Sequence, residues 1–190
     1  MRGILWLTLI AALTPGLNGC AAPAAGGKTT NATSAEQRRG PGVYLDDEAI
    51  ELHGLNRMHE LFPQDSVSVS VTSFNHNVLL TGQAPDEATR AKIEETIKSI
   101  PKVGTVYDQI TPAGVKSMAS EVKDSAITAN VKTRLLTGNG VNFIHVKVVT
   151  EGGVVYLMGL LTHSEADAAA QTAATTGGVL KVVKLVEYTD

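Results

Sequence analysis

From Asp46 onward the apolar positions change period in a fixed order. Ile50, Leu55, Met58, Leu61 and Phe62 recur at helical spacing until Pro63 stops the run. Asp46-Asp47-Glu48 places acids where a helix N-terminus favours them, which predicts a helix opening at Asp46. Val67, Val69 and Val71 then alternate with Ser, the period of a half-buried strand. Phe74-Asn75-His76-Asn77 is turn-like and Val78-Leu79-Leu80-Thr81-Gly82 returns, so the pair reads as a hairpin. Pro85-Asp86-Glu87 opens a second helix, with Pro suited to the first turn. Ile93, Ile97 and Ile100 line one face of it. Pro101 ends it, and Val103, Val106 and Ile110 mark a last strand.

The same order then recurs. Val69-Ser70-Val71 leading to Val78–Gly82 matches Val146-Lys147-Val148 leading to Val155–Gly159, 77 positions on. Asp124 or Ser125 is expected to cap a helix with Ile127, Val131 and Leu135 on one stripe, broken by Gly138-Asn139-Gly140. Ile144, Val146 and Val148 alternate, Glu151-Gly152-Gly153 turns, and Val154 to Met158 returns. Thr162-His163-Ser164-Glu165 has the form of a capping box. Ala166 to Thr176 is an Ala-rich helix, which implies close packing on a sheet. Gly177-Gly178 stops it, and Val179, Val182, Val183 and Val186 close the unit. A repeat of this length means two small domains, 46–112 and 124–190, joined by residues 113–123. Each is α-β-β-α-β, an α+β unit of two helices on a small three-stranded mixed sheet. Domains so small are marginal alone, so the copies are expected to pack together or lean on a partner.

Residues 1–19 read as a signal peptide. Arg2 gives a positive start, Ile4 to Leu13 an apolar stretch too short to span a bilayer, and Pro15-Gly16 a break. The single cysteine, Cys20, follows at once. A lone cysteine in an exported chain is either a leftover thiol, able to pair between chains, or a modification site. Residues 20–45 are small, polar or Pro/Gly-bearing and read as a tether.

Charge narrows the functional classes. The formal net charge of −3 becomes −4 once Arg2 is removed, and aromatic content is 4%. Nucleic acid, which rewards dense positive charge and stacking platforms, is a poor fit as a partner. The charge is also uneven. Residues 46–112 hold five Lys/Arg against eleven Asp/Glu, whereas 117–190 hold six against seven. His53, His59, His76, His145 and His163 do not share one helical face or strand, so the spacing offers no metal site and no cofactor is expected. No nucleophile elbow, phosphate loop or paired-carboxylate pattern occurs, which points away from an enzyme.

Leu17-Asn18-Gly19-Cys20 resembles the bacterial lipobox, so the resemblance favours lipidation of Cys20. Ala21 after it implies, by the same likeness, sorting to the outer membrane. The hairpins bearing Gly82 and Gly159, the helix after each, and the closing Val-x-x-Val strands resemble the BON domain. Asp124-x-x-Ile127, Leu135-Leu136-Thr137 and Val155-Tyr156-Leu157-Met158-Gly159-Leu160 carry the closest match. Two copies behind a lipobox resemble the dual BON-domain outer-membrane lipoproteins. That resemblance implies a lipid-anchored protein on the periplasmic face that binds anionic phospholipid, supports envelope integrity and is enriched at division sites.

Within that frame the second domain is the better candidate for lipid. Its opening helix from Ser125 to Leu136 carries Lys132 and Arg134 and no acid, whereas Asp46 to Leu61 carries five acids against Arg57. One reading puts Lys132 and Arg134 near phosphates, with Ile127, Val131 and Leu135 as the apolar side of the contact. The other makes those three residues core and the two bases a solvated face. A rival to lipid binding as a whole is a protein–protein adaptor, in which the acidic first domain docks a basic surface on an envelope partner.

Overall fold

The computed structural model describes residues 38–62, 66–112, 118–138 and 141–190, all within one compact unit. The signal segment, Cys20, the tether to residue 37 and residues 113–117 of the connector lie outside them.

Helix α1 runs Pro41–Leu61 and begins at Pro41, earlier than Asp46. Gly40 is extended and Pro41 takes the first helical position, where its missing N–H costs nothing. Strands β1 (Ser68–Phe74) and β2 (Asn77–Ala84) follow, then helix α2 (Glu87–Lys98) and β3 (Val106–Pro112). Asp86 caps α2 by accepting the Thr89 amide. β1 pairs antiparallel with β2, and β3 returns parallel to β2 through α2.

The second domain repeats this with helix α3 (Met118–Thr137), a single 3-10 turn (Phe143–His145), β4 (Val146–Glu151), β5 (Val154–Leu161), helix α4 (His163–Ala174) and β6 (Lys181–Tyr188). Its sheet has the same order, with β4 antiparallel and β6 parallel to β5. The capping box at Thr162 and Glu165 is present in both directions.

The central strands are buried on both faces. In β2, Val78 and Leu80 meet the helices of their own domain, while Leu79 faces the other domain. In β5, Val155, Leu157 and Leu161 face inward, while Tyr156, Met158 and Leu160 join Phe74 and Leu79 in a third cluster. The two sheets therefore pack against each other with helices outside. This is why both strands read as continuous apolar runs rather than as alternation. Polar contacts tie the rim. Lys147 Nζ reaches Glu51 at 2.5 Å. Glu187 accepts from Asn75 at 2.8 Å and Asn77 at 2.6 Å. Arg38 bonds the Leu160 carbonyl at 3.1 Å and Glu165 at 2.7 Å.

Each hairpin tip is pinned by a buried acid from the domain's first helix. Asn75 and His76 both have positive φ, and their amides donate to Asp47 at 2.8 Å each. Gly152 and Gly153 form the matching turn and donate to Asp124 at 2.9 Å each. Asp124 is thus not a cap. It lies inside α3, buried, because the helix starts at Met118 and turns that side chain toward the hairpin.

Candidate functional site

Helix α3 presents two different faces. The inward one holds Asp124, Ile127, Val131 and Leu135, one every three or four residues. Ile127, Val131 and Leu135 are closed in the second core with Val148, Val155, Leu157 and Ala169. Their apolar atoms are unavailable to a membrane, so of the two sequence readings burial supports core for these three. The reason is the hairpin lock at Asp124, which fixes the helix rotation and commits the positions one turn apart to the sheet.

Arg134 is also committed. Its guanidinium bonds the Thr175 carbonyl at 2.6 Å, the Thr175 hydroxyl at 3.0 Å and the Thr176 hydroxyl at 3.1 Å. It clamps the end of α3 onto the end of α4. Lys132 is different. It is exposed and stands between two hollows. One, of about 590 Å³, runs between Ser68 and Ser70 of β1 and Thr128, Val149 and Thr150 of the second domain. The other, of about 370 Å³, is lined by Leu135, Leu136, Val146 and Val148.

The outward face of α3 holds what sequence reasoning missed. Val122 is 71% exposed and Leu136 58%, and Ala126, Ala129 and Thr133 lie between them, also exposed. Glu121 stands exposed beside Val122 at its start, and from Ser125 to the helix end no carboxylate interrupts this surface. The signal was available in the spacing. Once Ile127, Val131 and Leu135 are set inward, Val122, Ala126, Ala129, Thr133 and Leu136 fall on the other side.

Several other titratable groups serve the structure. Asp46 bonds Lys102 at 2.6 Å and His76 at 3.3 Å, and the Lys102 ammonium holds its carboxyl below the usual range. For Glu165, burial works upward but the Arg38 guanidinium and the Thr162 amide and hydroxyl prevail, holding it low. Burial pushes the Tyr156 phenol up, with Glu151 adding to the effect. Among the described residues no three His, Cys, Asp or Glu side chains converge as metal ligands. His53 and His59 are exposed, His145 is buried, and His163 stacks on Tyr188 and bonds Asp190.

Gly82 and Gly159 serve the backbone. A side chain at Gly82, whose φ is +116°, would collide with the Ser68 carbonyl oxygen. One at Gly159 would sit 2.5 Å from the His145 carbonyl oxygen. Both glycines let β2 and β5 pass closely beside neighbouring backbone.

The sequence profile of the BON domain matches residues 55–114 and 123–190, the two units just described. The chain belongs to the BON-domain family. It is also 34% identical over 185 residues to the outer membrane lipoprotein DolP of Haemophilus influenzae, covering 97% of this chain and 96% of that protein. A 21 kDa hemolysin of Actinobacillus pleuropneumoniae is 34% identical over 154 residues, covering 79% and 78% of the two chains. A solved C-terminal domain of CdsD, a structural protein of the Chlamydia trachomatis type III secretion system, overlays 73% of this chain at 13% identity with a TM-score of 0.31, too distant to carry an argument. The match to DolP runs nearly end to end, so this chain is a DolP-like protein of two BON domains. Among its described residues no helix is long and apolar enough to cross a membrane.

Proposed function

We propose that the protein is held at the outer membrane by lipid on Cys20, faces the periplasm, performs no catalysis, and binds anionic phospholipid through its second BON domain in support of envelope integrity. The observation that supports this reading is the outward face of α3. It carries exposed apolar side chains at both ends, Val122 and Leu136, and an exposed base, Lys132, while the carboxylate of Asp124 is turned inward onto the Gly152 and Gly153 amides. Asp124 therefore adds no repulsion to that surface. The site differs from the sequence expectation in its members: Lys132 stays, Leu136 and Val122 replace Ile127, Val131 and Leu135, and Arg134 positions the helix.

Each base near an anionic leaflet contributes about 1 kcal/mol, screened by salt. Contact through one helix face is thus weak by itself, and acyl chains on Cys20 would keep the domain close to the bilayer. The test is flotation of soluble residues 21–190 with vesicles of phosphatidylglycerol and phosphatidylethanolamine at low and moderate salt. Co-flotation is expected to fade with salt, to be lost in Lys132→Glu and Leu136→Glu, and to survive Arg134→Gln. Flotation that both charge-introducing variants leave unchanged would remove this surface from the proposal.

A further inference from the structure

The first domain carries an apolar surface that neither core uses. Of the ten large apolar side chains that stand most exposed among the described residues, five lie on α1: Tyr44, Leu45, Leu52, Leu55 and Leu61. Leu45 is 70% exposed, Leu52 58% and Leu55 41%. Steps of seven and three residues set these three leucines on one side of the helix, away from Asp47, Ile50, Gly54 and Met58, which face the sheet. At 1.5 Å per residue the stripe is about 15 Å long. Solvated leucines aligned at this spacing mark a contact surface more than a random surface residue does. Residues 20–37 hold no Val, Leu, Ile, Met or aromatic residue with which the tether could fill it.

The charge on α1 says what kind of partner fits. Four of its five carboxylates are occupied. Asp46 is bonded to Lys102, Asp47 to the hairpin amides and Arg39, Glu51 to Lys147 and the Ser73 amide, and Glu60 to Arg57. The fifth, Glu48, sits within the stripe between Leu45 and Leu52, exposed and with no partner among the described residues. A surface that buries those leucines must also supply Glu48 with a cation, because a desolvated carboxylate left unpaired is costly. An anionic bilayer carries a net negative surface charge and is repelled by a domain with five bases against eleven acids. A second copy in twofold contact across the stripe would bring two Glu48 carboxylates into one apolar patch with no base opposite.

We infer that the outward face of α1 docks an amphipathic helix of another envelope protein, with apolar residues at i, i+7 and i+10 for Leu45, Leu52 and Leu55 and a lysine or arginine opposite Glu48. This surface lies on the other domain from the lipid face of α3 and stands whether or not α3 binds lipid.

The probe is a fluorescent synthetic helix with leucines at i, i+7 and i+10 and lysines beside them, set against a twin whose lysines are glutamates. Both are titrated by anisotropy into residues 21–190. The lysine peptide is expected to bind at least about tenfold tighter than its twin. Glu48→Lys should reverse that order, and Leu52→Glu should abolish binding of both while leaving vesicle flotation intact. Glu48→Lys alters an exposed residue, so it keeps the test informative even if Leu52→Glu unfolds. Equal binding of the two peptides, or a preference that Glu48→Lys leaves unchanged, overturns the inference. So does loss of vesicle flotation in a folded Leu52→Glu protein, which makes the stripe a membrane contact. A dimer in sedimentation that Leu52→Glu dissolves overturns it too, since the occupant is then a second copy.

Discussion

Substituting Asp47 by Asn tests whether one carboxylate holds the first hairpin to its helix. Oδ1 of Asp47 accepts the Ser73 hydroxyl at 2.7 Å and the His76 amide at 2.8 Å, and Oδ2 accepts the Asn75 amide at 2.8 Å and Arg39 at 3.1 Å. An asparagine has the same shape but one acceptor oxygen. With that oxygen toward Asn75 and Arg39, the amide nitrogen can still donate to the Ser73 hydroxyl, which rotates to accept. The His76 amide is then left facing another donor. The opposite orientation orphans Asn75 and Arg39 instead. One stranded backbone amide costs about 1–3 kcal/mol, and losing the charge weakens the surviving bonds further. The turn is only partly buried, so the total is about 2–4 kcal/mol. In a unit of this size that lowers the melting temperature by roughly 10 °C. Urea and thermal unfolding followed by circular dichroism measure the loss, and amide exchange locates it at Asn75 and His76. Asp124→Asn should cost a similar amount, because Gly152 and Gly153 bond opposite oxygens and one is stranded either way. Asp47→Asn within about 1 kcal/mol of the parent, with unchanged protection at the turn, would refute the pinning argument.

Four further outcomes follow from the same geometry. Gly82→Ala forces a side chain into positive φ and onto the Ser68 carbonyl, and should destabilise by more than about 1–2 kcal/mol. Gly177→Ala, where nothing lies within 4 Å, should be neutral or slightly stabilising in the same melts. Arg134→Ala should lower stability by about 1–2 kcal/mol through loss of the Thr175 and Thr176 bonds, without changing vesicle flotation. Arg38→Ala removes one of the groups holding Glu165 low. A depressed carboxylate stabilises the fold above the ordinary carboxylate range and loses that contribution as pH falls through its folded pKa. The gap between parent and Arg38→Ala in urea midpoint should therefore be wide at pH 7 and narrow progressively as pH falls below the ordinary carboxylate range; a gap that does not change with pH would exclude the linkage.

Much of the architecture was legible because local signals agree with the fold. The hairpin turns, the helix opening at Pro85-Asp86-Glu87, the capping box at Thr162 and the stripe Ile93-Ile97-Ile100 are short-range patterns, and the structure keeps each of them, with Pro85 one place ahead of the cap rather than in the first turn. What was not legible depends on partners distant in sequence. Asp46, Asp47 and Asp124 look like helix-start residues, yet they face Lys102, a hairpin turn and another hairpin turn. Leu55 and Leu61 fit a helical period but point outward, because that period cannot say which side meets the sheet. At Ile127, Val131 and Leu135 the sequence showed the stripe and left two readings of its direction, core or lipid; burial supports core, and the direction is set by a carboxylate that bonds a turn far along the chain.

The two copies show where such a direction matters. Shifting by 77 residues carries Asp47, Ile50 and Met58 onto Asp124, Ile127 and Leu135, all buried in both domains. Gly54 falls on Val131, and a side chain at Gly54 would touch Val71 at 3.0 Å, so α1 lies nearer its sheet than a larger residue allows. The outward positions diverge. Leu45, Glu48, Leu52 and Leu55 become Val122, Ser125, Ala129 and Lys132. The inward set is limited by one packing problem solved twice, and the hairpin lock fixes which positions belong to it. The outward set is free of that limit, and there one helix gathers leucines around an exposed acid while the other removes the acid and gains a base. A duplicated fold whose sheets are spent on each other has its helices left for contact, and these two helices are suited to surfaces of opposite charge: a basic protein segment on α1 and an anionic bilayer on α3.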